Sequence, residues 1–209
     1  MKLEVLKFRK ISTKDDYDEK YNDGEAWSRL YEYPLVINEI KKYYKEGFII
    51  HNSCWGFSGI HILFKDELER LFTNVYHSDI LKSEFKNTFI YDITKSPKKE
   101  EIEKYDILLN VSTLEEVDYN HLNVFNNLFM QLKKGGILIS TFDLSKNKQN
   151  KIRSFFSRKR KRVLQLEKFE HYFSRKIEID GIPINGENSI VKNLRYEHLN
   201  CGIMVIKKI

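Results

Sequence analysis

The chain is poor in the residues that cross-link, hinge or kink a backbone. Cys54 and Cys201 are its only cysteines, so no disulfide framework is available and a reduced, cytoplasmic setting is expected. Three prolines and nine glycines in 209 residues are about half the usual combined share of ~12%. This excludes a collagen-like, linker-dominated or low-complexity chain. No apolar run approaches the roughly 18 residues of a membrane span, and the amino terminus alternates Lys and Glu with apolar residues rather than carrying a secretory signal. No membrane partner is therefore expected. The six histidines show no HxxxH-type spacing and neither cysteine has a cysteine neighbour, so no metal site is expected.

What the chain does have is core material. Hydrophobic residues make up 41% and aromatics 13%, led by 14 Phe and 12 Tyr. Charged residues reach 32% but carry both signs, which is not the pattern of a disordered chain. A chain of this length buries roughly 70% of its unfolded surface and needs no staple. One domain over residues 1–209 is expected, with a polar lead-in over 1–24, helices over 25–45 and an α/β core over 46–209. The net charge of +6 is local. Between Leu144 and Leu166 lie nine basic residues and no acidic one, so the remainder carries −3. Such a block can meet phosphate, nucleic acid or an acidic surface, or be a solvated loop.

Periodicity places the elements. Residues 25–44 read as helical, with a break expected at Tyr33 because Pro34 disfavours helix in the residue before it. Short apolar runs at 47–51, 75–77 and 88–91 read as strands, and Ile60 to Phe72 recurs at helical spacing. The continuous run Asp106–Val111 fits a strand buried on both faces, as does Ile137–Phe142. Between them Leu122, Phe125, Phe129 and Leu132 form a helical stripe that Gly135-Gly136 should stop. A helix over 163–173 and strands at 176–179 and 202–207 complete the pattern. Strand–helix alternation with short connections implies a parallel sheet covered on both faces, with ligands beyond the carboxyl ends of the strands.

Function should therefore lie at Asn52–Gly59, Asp79, Asp92, Ser112–Glu116 and Asp143. The loop Ser53-Cys54-Trp55-Gly56-Phe57-Ser58-Gly59 joins a strand to a helix, where glycines permit close backbone approach to an electronegative group. Asp79 follows twenty residues after Gly59, a spacing that suits a carboxylate on a ribose hydroxyl pair, although a plain tight turn would look the same.

The stretch Tyr105–Asp143 runs YDILLNVSTLEEV, an amphipathic helix, then LKKGGILISTFD. In this it resembles the class I, Rossmann-like S-adenosylmethionine-dependent methyltransferases. The resemblance extends from about Trp27 to the carboxyl terminus. WGFSGIHILFKDEL and NVSTLEEV are similar to fragments of small methyltransferases of surface-glycan and nucleotide-sugar pathways. The resemblance implies a three-layer α/β fold, a mostly parallel seven-stranded sheet with an antiparallel last strand. It implies S-adenosyl-L-methionine as cofactor, bordered by Asn52, Ser53, Trp55, Gly56 and Gly59 in the first loop. Asp79 would then hold ribose, Asp92 border adenine, and Asn110 line the site. His51-Asn52-Ser53-Cys54-Trp55-Gly56 departs from the family's acid-x-Gly-x-Gly-x-Gly core, lacking the acid and the first glycine.

The implied activity is O-methylation of a sugar hydroxyl, for which the chain must align acceptor and donor, exclude water and take up a proton. Candidate bases are Glu115, Glu116, His121 and Asp143. Glu115 and Glu116 read equally well as acids complementing a helix dipole, and His121 as an exposed helix opener. Arg153, Arg158, Arg160 and Arg162 are candidates to bind the phosphates of a nucleotide-linked sugar or glycan. The alternatives are a methyltransferase-like binding or scaffold domain and a nucleic-acid-directed methyltransferase. The first is supported by the irregular loop and the second by the basic block alone. A nicotinamide dehydrogenase lacks its Gly-x-Gly-x-x-Gly.

Overall fold

The run YDILLNV has no polar face to give to water, and it forms the strand around which the sheet is built. The computed structural model describes residues 2–12, 14–22, 28–53, 59–117, 120–144, 164–178 and 200–209. In chain order the elements are β1 (Leu3–Lys10), α1 (Arg29–Tyr43), β2 (Ile50–Asn52), α2 (Ile60–Leu71), β3 (Val75–Asp79), β4 (Thr88–Ile90), β5 (Tyr105–Val111), α3 (His121–Met130), β6 (Leu132–Leu144), a short helix α4 (Leu166–Tyr172) and β7 (Asn200–Lys208). The seven strands form one sheet in the order β1-β7-β6-β5-β2-β3-β4. Strands β2 to β6 pair in parallel, and β7 runs antiparallel to both β6 and β1. Six strands thus share one direction and the last opposes them, as the resemblance implied.

The two faces of β5 feed two cores. Ile107, Leu109 and Val111 pack with α1 and α2, while Leu108 packs with Val124, Phe125 and Phe129 of α3 and Phe169 of α4. This is the three-layer arrangement that covers a parallel sheet on both sides.

Four local expectations are corrected. The polar lead-in over 1–24 contains β1, an edge strand paired along β7. A register shift between Val5 and Lys7 lets Leu3, Val5 and Phe8 reach the same core, breaking the two-residue alternation that would have marked the strand. Helix α1 does not break at Tyr33. Pro34 withholds the amide that would bond the Leu30 carbonyl, and the Asp18 amide takes that carbonyl instead at 3.1 Å. Gly135-Gly136 does not stop α3, which ends at Met130; the pair lies at the irregular entry to β6, Gly135 at φ +82°. A Cβ on Gly136 would sit 2.9 Å from the Lys133 carbonyl. Finally, 176–179 supplies no strand among the described residues, only a bridge from Glu178 to Arg9.

Candidate active site

The parallel strands deliver Asn52, Asp79, Val111 and Leu144 to one edge of the sheet, and antiparallel β7 brings Cys201 there opposite Asp143. On the β2–β4 side, the first loop leaves the sheet through a hydrogen-bonded seam. The Ser53 amide and hydroxyl both donate to the Leu109 carbonyl, at 2.9 and 2.8 Å, and the Asn110 side-chain amide donates to the Ser53 carbonyl at 3.0 Å. Asn52 meets His77 Nδ1 at 3.1 Å. These buried groups fix where the loop starts. Gly59, at φ +55°, precedes α2, a conformation that disfavours any other residue. Trp55 and Gly56 lie outside the described residues, as do Cys54 and Trp27.

Asp79 ends β3 at 6% exposure. Its Oδ1 accepts the Leu81 amide at 2.8 Å, and burial raises its carboxyl above the usual range against the backbone amides of Leu81 and Ile80. No cation pairs with it among the described residues. Beside it, Ile80 and Leu81 expose apolar surface. Asp92, just past β4, accepts the Thr94 amide at 2.9 Å and hydroxyl at 2.6 Å, and the hydroxyl holds its carboxyl below the usual range.

The β5–β7 side is a buried polar cluster. Arg29 and Glu32, in the first turn of α1, form a buried ion pair, and Ser28 Oγ donates to the same Glu32 oxygen at 2.7 Å. The other Glu32 oxygen accepts the Ser112 hydroxyl. That bond reaches a serine at φ +42°, a backbone region where non-glycine residues are uncommon, at the end of β5. Burial alone would raise the Glu32 carboxyl, but Arg29, with Ser112 and Ser28 donating, brings it below the usual range.

Glu115 lies in the turn after β5 at 1% exposure, and its Oε1 accepts the Asp143 amide at 2.9 Å. Burial, then the charge of Asp143, pushes its carboxyl well up. Asp143 is pushed up to about 6 by burial and by Glu32, against the pull of Arg29. Its Oδ1 receives the buried Cys201 thiol at 3.4 Å, and burial raises that thiol well above its ordinary value. An aspartate in this range is a base suited to neutral pH.

The remaining candidates separate. Glu116 is exposed in the same turn. His121 opens α3 but is buried, its Nδ1 accepting the Gln165 amide at 3.1 Å and its Nε2 lying 3.3 Å from the Val117 carbonyl. That pair of contacts describes the neutral tautomer with its proton on Nε2 and its lone pair occupied, and burial lowers its pKa. Arg153, Arg158, Arg160 and Arg162 lie outside the described residues. Sequence reasoning missed Arg29, Glu32 and Cys201, and named Ser112 only as the start of the turn after β5. A signal existed for the first two: from Leu30 to Ile37 Glu32 is the single charged residue in an otherwise apolar stretch, so it and Arg29 three residues before it suit a buried pair. Among the described residues no His, Cys, Asp and Glu group could hold a metal, and no helix is long and apolar enough to cross a membrane.

No protein-family model matches the sequence, and no curated protein matches it. Solved structures do match in fold. The trans-methyltransferase CalH in complex with SAH aligns with a TM-score of 0.54 at 14% identity, over 85% of this chain and 55% of that one. The CurJ carbon methyltransferase aligns at 0.51 with 12% identity, over 83% and 52%. A SAM-dependent methyltransferase from Archaeoglobus fulgidus aligns at 0.50 with 15% identity, over 84% and 94%. The chain thus spans about half the length of CalH and CurJ. The shared feature is the Rossmann-like methyltransferase fold.

Proposed function

We propose that this protein is an S-adenosylmethionine-dependent methyltransferase acting on a hydroxyl of a sugar, in a nucleotide-linked sugar or glycan. The observation that carries the reading is the juxtaposition, on one sheet edge of methyltransferase topology, of a buried carboxylate without a cation at β3 and a neutral-range base at β6. Asp79 has capacity that its turn amides do not use, and a ribose diol would supply two donors to it. Asp92 would border adenine and Asn110 the cofactor's inner side. The residues present therefore fit the cofactor. When bound, S-adenosylmethionine supplies an electrophilic methyl group on sulfur. Asp143 takes up the proton of the acceptor hydroxyl, and Arg153, Arg158, Arg160 and Arg162 engage acceptor phosphates.

Oxygen as the methylated atom is supported by Asp143, since a hydroxyl must lose a proton that a neutral amine need not lose beforehand. A carbon acceptor, as in the name of CurJ, also calls for a base, and product analysis separates the two. A second reading, a binding domain without turnover, is favoured by one feature, the first loop's missing acid and glycine. Thermal unfolding with S-adenosylhomocysteine and with NAD tests both. A ligand that binds only the folded state raises its apparent stability by mass action. Stabilisation by S-adenosylhomocysteine and not by NAD is expected; no shift at about millimolar concentration leaves the binding-domain reading.

A further inference from the structure

Two carboxyl groups meet where β5 and β6 end, and they are not equivalent. Asp143 is partly exposed, whereas Glu115 is 1% exposed. One Glu115 oxygen accepts the Asp143 amide; the other is buried and has no hydrogen-bond partner among the described residues. The charged and titratable groups around the pair come from each neighbouring element. They are Arg29 and Glu32 of α1, Glu116 of the turn, and Cys201 of β7. Arg29 is the cation of that set, and it is committed to Glu32. Among the described residues, an ionised Glu115 would thus be a desolvated anion beside two other carboxylates with no cation of its own. Under those conditions a carboxyl keeps its proton.

We propose that Glu115 is a buried neutral acid that positions the Asp143 end of β6, and that Asp143 is the one carboxylate of the pair free to take up a proton. A protonated Glu115 loses nothing as an acceptor, because its carbonyl oxygen still receives the Asp143 amide. It also removes the repulsion that a second anion would impose on Asp143. The pair then titrates as a unit with one proton retained at neutral pH. This reverses the expectation that Glu115 serves as a base. The proposal draws its catalytic meaning from the acceptor-site reading above, but its test needs neither cofactor nor acceptor.

Infrared difference titration of the protein alone reads the proton directly. Between about pH 7.5 and 8.5, above the range in which Asp143 titrates, a carboxylic-acid carbonyl band should persist in the wild type, vanish in Glu115→Gln and remain in Asp143→Asn. Chemical unfolding across the same range gives a second readout. The fall of stability with rising pH should lessen in Glu115→Gln by close to one proton's worth of slope, because the folded state no longer holds a proton that the unfolded chain has released. Absence of the band from the wild type at about pH 8, or its survival in Glu115→Gln, overturns the proposal. If Glu115→Gln does not fold, Asp143→Asn decides: a retained band supports the proposal and its loss refutes it. A band without S-adenosylhomocysteine binding would remove the methyltransferase reading and leave this one. Binding without the band would do the opposite.

Discussion

The two sides of the strand-end rim treat polar groups in opposite ways. On the β2–β4 side most groups are closed off locally, Ser53 on the Leu109 carbonyl, Asn110 on Ser53 and Asp92 on Thr94, while Asp79 keeps spare acceptor capacity. On the β5–β7 side Glu32 and Asp143 share one guanidinium, and Glu115 lies beside both carboxylates. The first side spends its hydrogen bonds on fixing backbone. The second keeps unfavourable charge in place because packing and the Arg29–Glu32 pair over-determine it. Stability and reactivity are thereby separated along a single edge of the sheet, and substitutions can test that separation.

The largest effect is expected from Glu32→Ala. It strands Arg29 and removes the acceptor that holds Ser112, so a loss of about 3–5 kcal/mol in urea unfolding is expected, the usual consequence of breaking a buried pair from one side. Asp143→Asn should lower turnover by about 10²–10⁴ with cofactor binding retained. It should also raise stability at neutral pH. The Asp143 carboxyl titrates near 6 in the folded protein, above its ordinary 3.8, so the folded state holds a proton that the unfolded chain has lost. Stability from this group is complete below 3.8 and declines as pH rises through about 6. Asp143→Asn removes that decline, which thermal melts at several pH values would show. A normal rate with an unchanged melting profile would make the crowded side as inert as the other.

On the quieter side, Asp79→Ala should weaken S-adenosylhomocysteine by ~1–3 kcal/mol in calorimetry, the range for leaving polar partners unmade. Unchanged affinity would mean that ribose is held elsewhere. The smallest effect on the folded domain is expected from Arg158→Glu combined with Arg160→Glu. This pair should raise the acceptor KM while cofactor affinity stays within about twofold. Salt-resistant binding to one nucleic-acid sequence would instead point away from a sugar acceptor.

The central strands were legible because they are buried on both faces: YDILLNV and ILISTF have no other environment open to them. The edge was not. In β1 the shift between Val5 and Lys7 destroys alternation, and Glu4, Lys7, Arg9 and Lys10 interrupt its apolar residues, so composition disguises it as a lead-in. Pro34 misled for a different reason. The Leu30 carbonyl is satisfied by Asp18, sixteen positions from the proline and invisible to any local rule. At the site, Asp79 and Asp143 were found because topology alone puts strand ends on one rim. Glu115 was singled out, but its surroundings are Asp143 of β6 and Glu32 of α1, which no window around residue 115 contains. Arg29 and Glu32 were missed because charges were read as surface.

The pairing of β1 with β7 also sets the order in which the protein can assemble. Leu3 pairs with Lys208 and Lys10 with Gly202, so the outermost part of the sheet joins residues from opposite ends of the sequence. Contacts of such long separation form late and slowly, since the loop they close must be immobilised first. β1 must wait for β7, which lies far along the sequence from it. Until then Leu3, Val5 and Phe8 have no core to enter, and β6 presents an open edge. Deleting residues 2–10 should therefore leave the outer edge of β7 unpaired and turn it into a surface for aggregation.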